Sequence, residues 1–246
     1  MKFLDLKDIS ERHLEIVNPI SPEKLLYAGQ VMKLQRGQRV IDFGCGYGET
    51  LRLWGEAFGI SGVGIDVRAV ACERARGKFA AAGWQDRFEI VQGKGADYPF
   101  AAGTYDVAAC IGATFIWKDF RGAIRGMRDA IRPGGWLAIG EASWRTSAVS
   151  PAYVRSEQFF TEPELLEIAR QEGFEVGYLV RASQDDWDHY EAENWRGLLD
   201  WLAENPNHPE RAEVHKHLRD SQDEYFRYQR EYVGWAVYLL RSLKEK

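Results

Sequence analysis

Two carboxylates and a run of glycines near the start of the chain are the residues best suited to binding a charged ligand. Asp42 stands two residues before the glycines of residues 44–48, and Asp66 ends a later apolar stretch. Glycine lets the backbone turn tightly and approach a ligand with no Cβ in between. A helix that begins directly after such a turn offers free N–H groups to the negative end of a ligand. A carboxylate can accept hydrogen bonds from two donors side by side. The pattern therefore predicts a ligand-binding turn flanked by two acids.

Each of these acids stands in or directly after a short apolar stretch that a helical pattern follows. Residues 40–43 are predicted to form a buried strand, and a helix is predicted to begin at Glu49. The arrangement repeats at residues 62–67, which end at Asp66–Val67 and precede an amphipathic helix. Alternating strands and helices predict an α/β fold. Further strands are predicted at residues 88–93, 104–112, 136–141, 174–182 and 232–241.

The spacing of the glycines excludes a dinucleotide-binding turn. That turn has the pattern G-x-G-x-x-G. Counted from Gly44, the position of its third glycine is occupied here by Glu49. A glycine turn without any ligand is the remaining structural alternative.

The sequence from Asp42 to Gly48, Asp-x-Gly-x-Gly-x-Gly, resembles motif I of the class I S-adenosylmethionine-dependent methyltransferases. The resemblance extends in detail over residues 38–141, and its later motifs are similar to a bacterial subgroup without an assigned substrate. It implies a seven-stranded doubly wound sheet of order 3-2-1-4-5-7-6, with the last strand antiparallel and helices on both faces. One domain is expected: a lid (residues 1–37), a cofactor-binding core (38–182), an inserted helical cap (183–230) and the last strand (231–246).

The resemblance implies S-adenosylmethionine as the cofactor and assigns roles to the two acids. Asp42 belongs to the site of the methionine part, and Asp66 accepts from the ribose hydroxyls. The family commonly has an acid after the third strand, whereas this chain has Lys94, whose ammonium cannot accept a hydrogen bond. Asp97 is a possible replacement. The expected cofactor-binding residues are Asp42, Gly44, Cys45, Gly46, Asp66, Val67, Gly95, Ala96 and Ile111.

The tips of the fourth and fifth strands are expected to face the methyl group, because ligands bind at the carboxyl ends of the strands. The motif N-P-P-Y is absent from this region, which argues against methylation of adenine or glutamine. An oxygen acceptor would need a general base. Glu141, at the end of the fifth strand, and His13, in the lid, are the two candidates.

Aromatic residues on the first helix of the cap recur at spacings of three and four and share one face. They form either ordinary core or a wall that keeps water away from the substrate. Arg145, just after the fifth strand, is either a surface residue or a ligand for an anionic group. The expected substrate-binding residues are Arg145, Trp144, Trp187, Tyr190 and Thr114.

Composition argues against several classes of function. With 246 residues and a net charge of −5, the chain is not expected to have the broad basic face that nucleic-acid binding needs. Three widely spaced cysteines predict reduced thiols in a cytoplasmic protein. No signal peptide or membrane helix is expected. His215 and His217 are two positions apart on a helix, which is poor ligand geometry, so no metal is predicted.

We therefore predict transfer of a methyl group to a small-molecule acceptor by in-line displacement. The alternatives are an RNA methyltransferase and a cofactor-binding protein without catalysis. Neither the acceptor nor the oligomeric state follows from the sequence.

Overall fold

An eight-stranded sheet forms the centre of the protein, in a computed structural model that describes residues 2–146, 148–149, 153–154 and 159–242. Its strands follow the apolar stretches of the sequence. They are β1 (Arg39–Phe43), β2 (Ser61–Asp66), β3 (Phe88–Gln92), β4 (Tyr105–Ile111), β5 (Ile131–Trp144), β6 (Phe160–Thr161), β7 (Glu175–Arg181) and β8 (Val233–Arg241).

The strand order is β3-β2-β1-β4-β5-β8-β7, and β6 pairs with β5 off this path. Strands β1 to β5 are parallel, whereas β8 runs antiparallel to both β5 and β7. The predicted order and the antiparallel last strand are confirmed. The additional strand, β6, has two residues and was not predicted. Residues 243–246 of the predicted last-strand region lie outside the described residues.

Helices cover both faces of the sheet. On one face α2 (Pro22–Val31), α3 (Glu49–Phe58) and α4 (Ala69–Ala81) bury an apolar cluster. On the other face α5 (Phe120–Met127) and α6 (Glu162–Gln171) bury a second cluster. Alternate residues of each strand enter the two clusters, as Ile41 and Val40 of β1 do.

Side chains cap the N-termini of several of these helices. Ser21 accepts a hydrogen bond from Lys24 N, with Pro22 in the first turn of α2. Thr161 and Glu164 form a capping box at the start of α6. Helix α2 ends at Val31, shortly before Lys33, which adopts a left-handed conformation with φ 56°.

A third apolar cluster joins the N-terminal helix to two helices from the second half of the chain. It packs α1 (Phe3–Ser10) against the long helix α7 (Gln184–Glu204) and against α8 (Arg211–Glu224). Gly197 permits this close approach, since an added Cβ would strike the carbonyl oxygens of Ile9 and Ser10. A π-helical turn, Tyr225–Gln229, and a short α9 (Arg230–Tyr232) lead into β8. Lid and cap thus share one core.

Within the described ranges, none of the helices combines the length and the apolar character needed to span a membrane.

Candidate active site

A cavity of about 360 Å³ opens beside the carboxyl ends of β1, β2 and β4. Its floor comes from the glycine turn and from the loops after β2, β3 and β4, while α1, the residues after α1 and α7 close it from the other side. The lining residues are Leu4, Lys7, Glu11, Val17, Gly44, Gly46, Ile65, Asp66, Val67, Arg68, Gly93, Lys94, Gly95, Ala96, Ile111, Gly112, Ala113, Phe115, Ile116 and Tyr190.

The glycine turn is held in a conformation that other residues adopt only with strain. Gly44 and Gly46 have φ values of 73° and 53°. A Cβ added to Gly44 would strike the Ala113 side chain, and one added to Gly46 would lie 2.7 Å from Cγ2 of Val17. A side chain at position 46 would therefore clash with the lid. The glycines allow the lid and the loop after β4 to pack directly on the turn.

Asp66 joins the turn to the start of α4 and also lines the cavity. Its Oδ2 accepts from Gly46 N at 2.9 Å, and its Oδ1 accepts from Arg68 N at 2.9 Å. The side chain is buried. Because a carboxylate oxygen has two acceptor positions, each oxygen retains one position for a ligand. This geometry suits two neighbouring hydroxyl groups.

Asp42 lies in a separate small chamber of about 20 Å³, which shares Val17, Gly44 and Ile111 with the larger cavity. Burial, and secondly the negative charge of Asp66, raise the pKa of Asp42 to about 7. Cys45 and Asn18 line the same chamber. Asn18 Nδ2 donates to the carbonyl oxygen of Ile111 at 3.2 Å, while its Oδ1 is buried and finds no partner among the described residues. The chamber thus offers two oxygen acceptors to a cation.

At the far end of the cavity, Gly95 and Ala96 lie in the wall as expected. Lys94 is largely exposed but also contributes to the wall, whereas Asp97 is exposed and lies outside the lining. The suggested replacement of the family's acid by Asp97 therefore has no support in the placement of its side chain.

The lid is tied to the core by a buried carboxylate that the sequence analysis overlooked. Glu11 Oε2 lies 2.6 Å from Arg68 Nη1, and Glu11 Oε1 lies 3.3 Å from Lys7 Nζ. The Tyr47 hydroxyl donates to the carbonyl oxygen of Glu11 at 3.4 Å. A signal for this arrangement existed, since Leu4, Lys7 and Glu11 are three and four positions apart and share one face.

Glu141 lies on the face of β5 that packs toward α5, outside the lining of both cavities. Its Oε1 accepts a hydrogen bond from Ala142 N at 3.2 Å, the nearby Thr114 hydroxyl favours the ionised form, and its Oε2 is buried with no partner among the described residues. Burial raises the pKa of Glu141 to about 7. Thr114 is itself buried next to the cavity residues Ala113 and Phe115. Glu141 thus lies against the loop after β4, on the side of that loop that faces away from the cavity.

His13 lies at the seam between lid and cap, where its Nε2 is 2.8 Å from Oδ2 of Asp200. It is outside the cavity lining. Neighbouring Arg12 makes two hydrogen bonds with Glu204, at 2.8 and 3.1 Å. In the structure His13 therefore holds α7 instead of facing a ligand.

Of the five expected substrate-binding residues, Tyr190 alone lines the cavity. Trp144 packs against the rings of Tyr153 and Phe159. Trp187 is buried in the core, and its Nε1 has no partner in the part of the chain that the structure describes. Arg145 is exposed, and its Nη1 donates to Gln184 Oε1 at 3.2 Å. These residues form a second group on the cap side of β5, apart from the cavity.

Comparison with known proteins decides the family. Residues 40–135 match the model of a methyltransferase domain. An uncharacterized protein of Escherichia coli, YjhP, is 35% identical over 238 residues, which are 94% of this chain and 96% of that protein. The crystal structure of a SAM-dependent methyltransferase from Thiobacillus denitrificans in complex with S-adenosyl-L-homocysteine superposes with a TM-score of 0.91 at 34% identity, covering 98% of this chain and 100% of that one. The chain belongs to the S-adenosylmethionine-dependent methyltransferases.

One further comparison describes its place in the family. The O-methyltransferase resE of Aspergillus sclerotiorum is 28% identical over 155 residues, which are 60% of this chain and 59% of that protein.

The residues of this methyltransferase fit the cofactor of its family. The paired acceptor positions of Asp66 match a ribose diol. The unpartnered Asn18 Oδ1 and the carboxyl group of Asp42 match the ammonium group of the methionine part. Gly93, with open space where a Cβ would project, and Gly95 and Ala96 leave room for the base. Among the described residues, no group of three or more His, Cys, Asp or Glu side chains is placed to hold a metal ion.

We expect Glu11→Gln to accelerate the release of S-adenosylhomocysteine. The substitution removes the anion between Lys7 and Arg68, so these two cations are left facing each other beside the cavity. Breaking a buried ion pair costs about 3–5 kcal/mol. We expect less here, because Lys7 is partly exposed and Arg68 retains Asp8 as a partner at 3.4 Å. Stopped-flow tryptophan fluorescence measures the dissociation rate.

Glu204→Gln is the matched control for this prediction. Glu204 also pairs with a lid residue, Arg12, but its side chain is 54% exposed and lies outside both cavity linings. Exposed pairs contribute about 0–1 kcal/mol. Equal dissociation rates in the two variants would show that the buried pair does not hold the lid.

Proposed function

We propose that this methyltransferase transfers the methyl group of S-adenosylmethionine to a small organic molecule by in-line displacement. The observation that carries the proposal is that helices of the lid and the cap line the cavity. Leu4 and Lys7 of the lid and Tyr190 of the cap contribute to its wall, together with the loops after the strands. A site partly covered by helices admits a small molecule, whereas a polynucleotide needs an open basic face. The Aspergillus relative is an O-methyltransferase, which supports an oxygen acceptor.

The cofactor supplies an already activated methyl group, so the chain has mainly to position the acceptor and exclude water. We propose Asp42 and Asp66, with Gly44, Cys45, Gly46, Val67, Gly95, Ala96 and Ile111, as the residues that hold the cofactor. Tyr190 is proposed to contact the acceptor, and Trp144, Trp187 and Thr114, which lie outside the cavity lining, are proposed to support the walls of the acceptor site.

A general base for an oxygen acceptor is proposed at Glu141. A pKa of about 7 suits proton transfer near neutral pH. Because Glu141 lies behind the wall formed by the loop after β4, we propose that it acts through the Thr114 hydroxyl. His13 is the second candidate, although it would have to leave Asp200 to reach an acceptor.

The proposal is tested by measuring S-adenosylhomocysteine formation with phenols, carboxylic acids and amines, and separately with tRNA and ribosomal RNA. We expect turnover with at least one small acceptor and none with RNA. Turnover with RNA alone would contradict the proposal. Binding of the cofactor with no turnover on any acceptor would favour a binding protein instead.

We expect Arg145→Lys to impair acceptors that carry a carboxylate. Its guanidinium is held only by a neutral partner, Gln184, among the described residues, so it is available for a bidentate contact. Loss of that contact should raise KM about tenfold with kcat nearly unchanged. Neutral acceptors and the variant Arg227→Lys, whose arginine pairs with Asp223 on the surface, serve as controls. An unchanged KM for every anionic acceptor would remove the role.

We also place the protein in the cytoplasm. The support for this proposal is that all three cysteines, Cys45, Cys72 and Cys110, are buried free thiols.

A further inference from the structure

A second cavity, of about 230 Å³, lies at the end of the strands opposite to the end that carries the glycine turn. Segments that are distant in sequence form it: the end of α2, the starts of β1, β4 and β5, and the end of β8. Its lining residues are Val31, Met32, Lys33, Leu34, Gln38, Asp106, Val107, Arg132, Gly134, Gly135, Trp136 and Arg241. None of these residues lines the cofactor cavity.

The charge in this cavity is only partly balanced. Its one acid, Asp106, forms an ion pair with Arg132 and accepts from Arg39 N at 2.8 Å. Lys33 and Arg241 have no carboxylate partner in the part of the chain that the structure describes. The guanidinium of Arg241 lies over the ring of Trp136, 5.4 Å from its centroid. Two cations thus border the cavity without a compensating anion, in a protein whose net charge is −5.

The backbone at Lys33, which borders this cavity, adopts a conformation that is unfavourable for residues other than glycine. Lys33 has φ 56°, in the left-handed region that favours glycine. It ends α2 with hydrogen bonds from Lys33 N to Gln30 O and from Leu34 N to Gly29 O, at 2.9 and 3.0 Å. Glycine is the usual residue at this position of such a helix end. The chain instead has a cation there.

We propose that this cavity binds the phosphate group of a small phosphorylated metabolite. The guanidinium of Arg241 can donate two parallel hydrogen bonds to phosphate oxygens, and Lys33, which lines the same cavity, adds a point charge. The ring of Trp136 and the side chains of Val31 and Leu34 leave an apolar surface for the organic part. The site is independent of methyl transfer.

The test is calorimetric titration of the full chain with pyrophosphate in the presence of saturating S-adenosylhomocysteine, which blocks the cations of the cofactor cavity. We expect one pyrophosphate per chain. Arg241→Gln should weaken binding about tenfold, since hydrogen bonds to a charged group are lost. Lys33→Gly should also weaken binding while raising the melting temperature, because it relieves the backbone strain. Arg227→Ala, a surface arginine outside the cavity, is the control.

Three outcomes would overturn the proposal. They are the absence of binding heat in the wild type, equal affinity in the Arg241→Gln variant, and tighter binding of citrate than of pyrophosphate. The last result would assign the cavity to a polycarboxylate. Potassium chloride at matched ionic strength separates specific binding from general screening.

Discussion

Asp66→Asn is expected to weaken the binding of S-adenosylhomocysteine by about a hundredfold. The carboxylate accepts from Gly46 N and Arg68 N, and its remaining acceptor positions face the cavity. An asparagine amide offers one acceptor oxygen and places a donor against either Gly46 N or Arg68 N. Each lost hydrogen bond to a charged group is worth about 1.5–3 kcal/mol, and every 1.4 kcal/mol is about tenfold in affinity. The glycine turn also loses one of its supports.

Two measurements separate these contributions. Calorimetric titration gives the loss of affinity, and thermal unfolding without ligand gives the loss of stability. Asp86→Asn is the control, since Asp86 is exposed on the connection between β2 and β3. Unaltered affinity in Asp66→Asn, with or without a loss of stability, would refute a contact between this acid and the cofactor.

The second large effect is a dependence of cofactor affinity on pH through Asp42. Burial and Asp66 raise the pKa of this carboxyl group to about 7 in the absence of ligand. A cationic ammonium binds the ionised form, so binding lowers this pKa. Above the unliganded pKa no proton has to leave, and affinity is at its maximum. Below it Asp42 must release a proton on binding, so affinity should fall by up to about tenfold per pH unit.

Titrations with S-adenosylhomocysteine at several pH values between about 5 and about 8 measure this slope. Asp42→Asn should bind weakly at every pH and lose the slope. Glu141 and Glu191 also have pKa values raised to about 7 by burial, so Glu141→Gln and Glu191→Gln are the controls and should retain it. A slope that persists in Asp42→Asn would assign the titration to another group.

The sequence by itself determined the features that arise within one strand–turn–helix unit. The apolar residues 40–43, the three glycines and Asp42 are neighbours in the chain, so their spacing specifies their geometry in any fold that forms β1 and α3. The same holds for Asp66 at the end of β2 and for the capping box of Thr161 and Glu164. The strand order, in contrast, was predicted through the resemblance of residues 38–141 to a known family.

Tertiary structure decided how residues from different units meet. Glu141 was expected at the end of the fifth strand, but β5 continues to Trp144, and side chains alternate between the two faces of a sheet. The packing of Leu137 and Ile139 under α5 directs Glu141 away from the cavity. His13 likewise lies beside Asp200, a contact that depends on how α1 packs against α7.

The same reason explains the residues that the sequence did not indicate. Glu11 and Arg68 are remote in the chain, and either residue alone resembles an ordinary surface charge. They meet because Gly197 lets the lid approach the cap, and because Gly46 lets Val17 lie on the glycine turn. The division of the site into two chambers depends on the same contacts. Sequence patterns describe local periodicity, whereas these contacts exist only after the lid, cap and sheet have packed together.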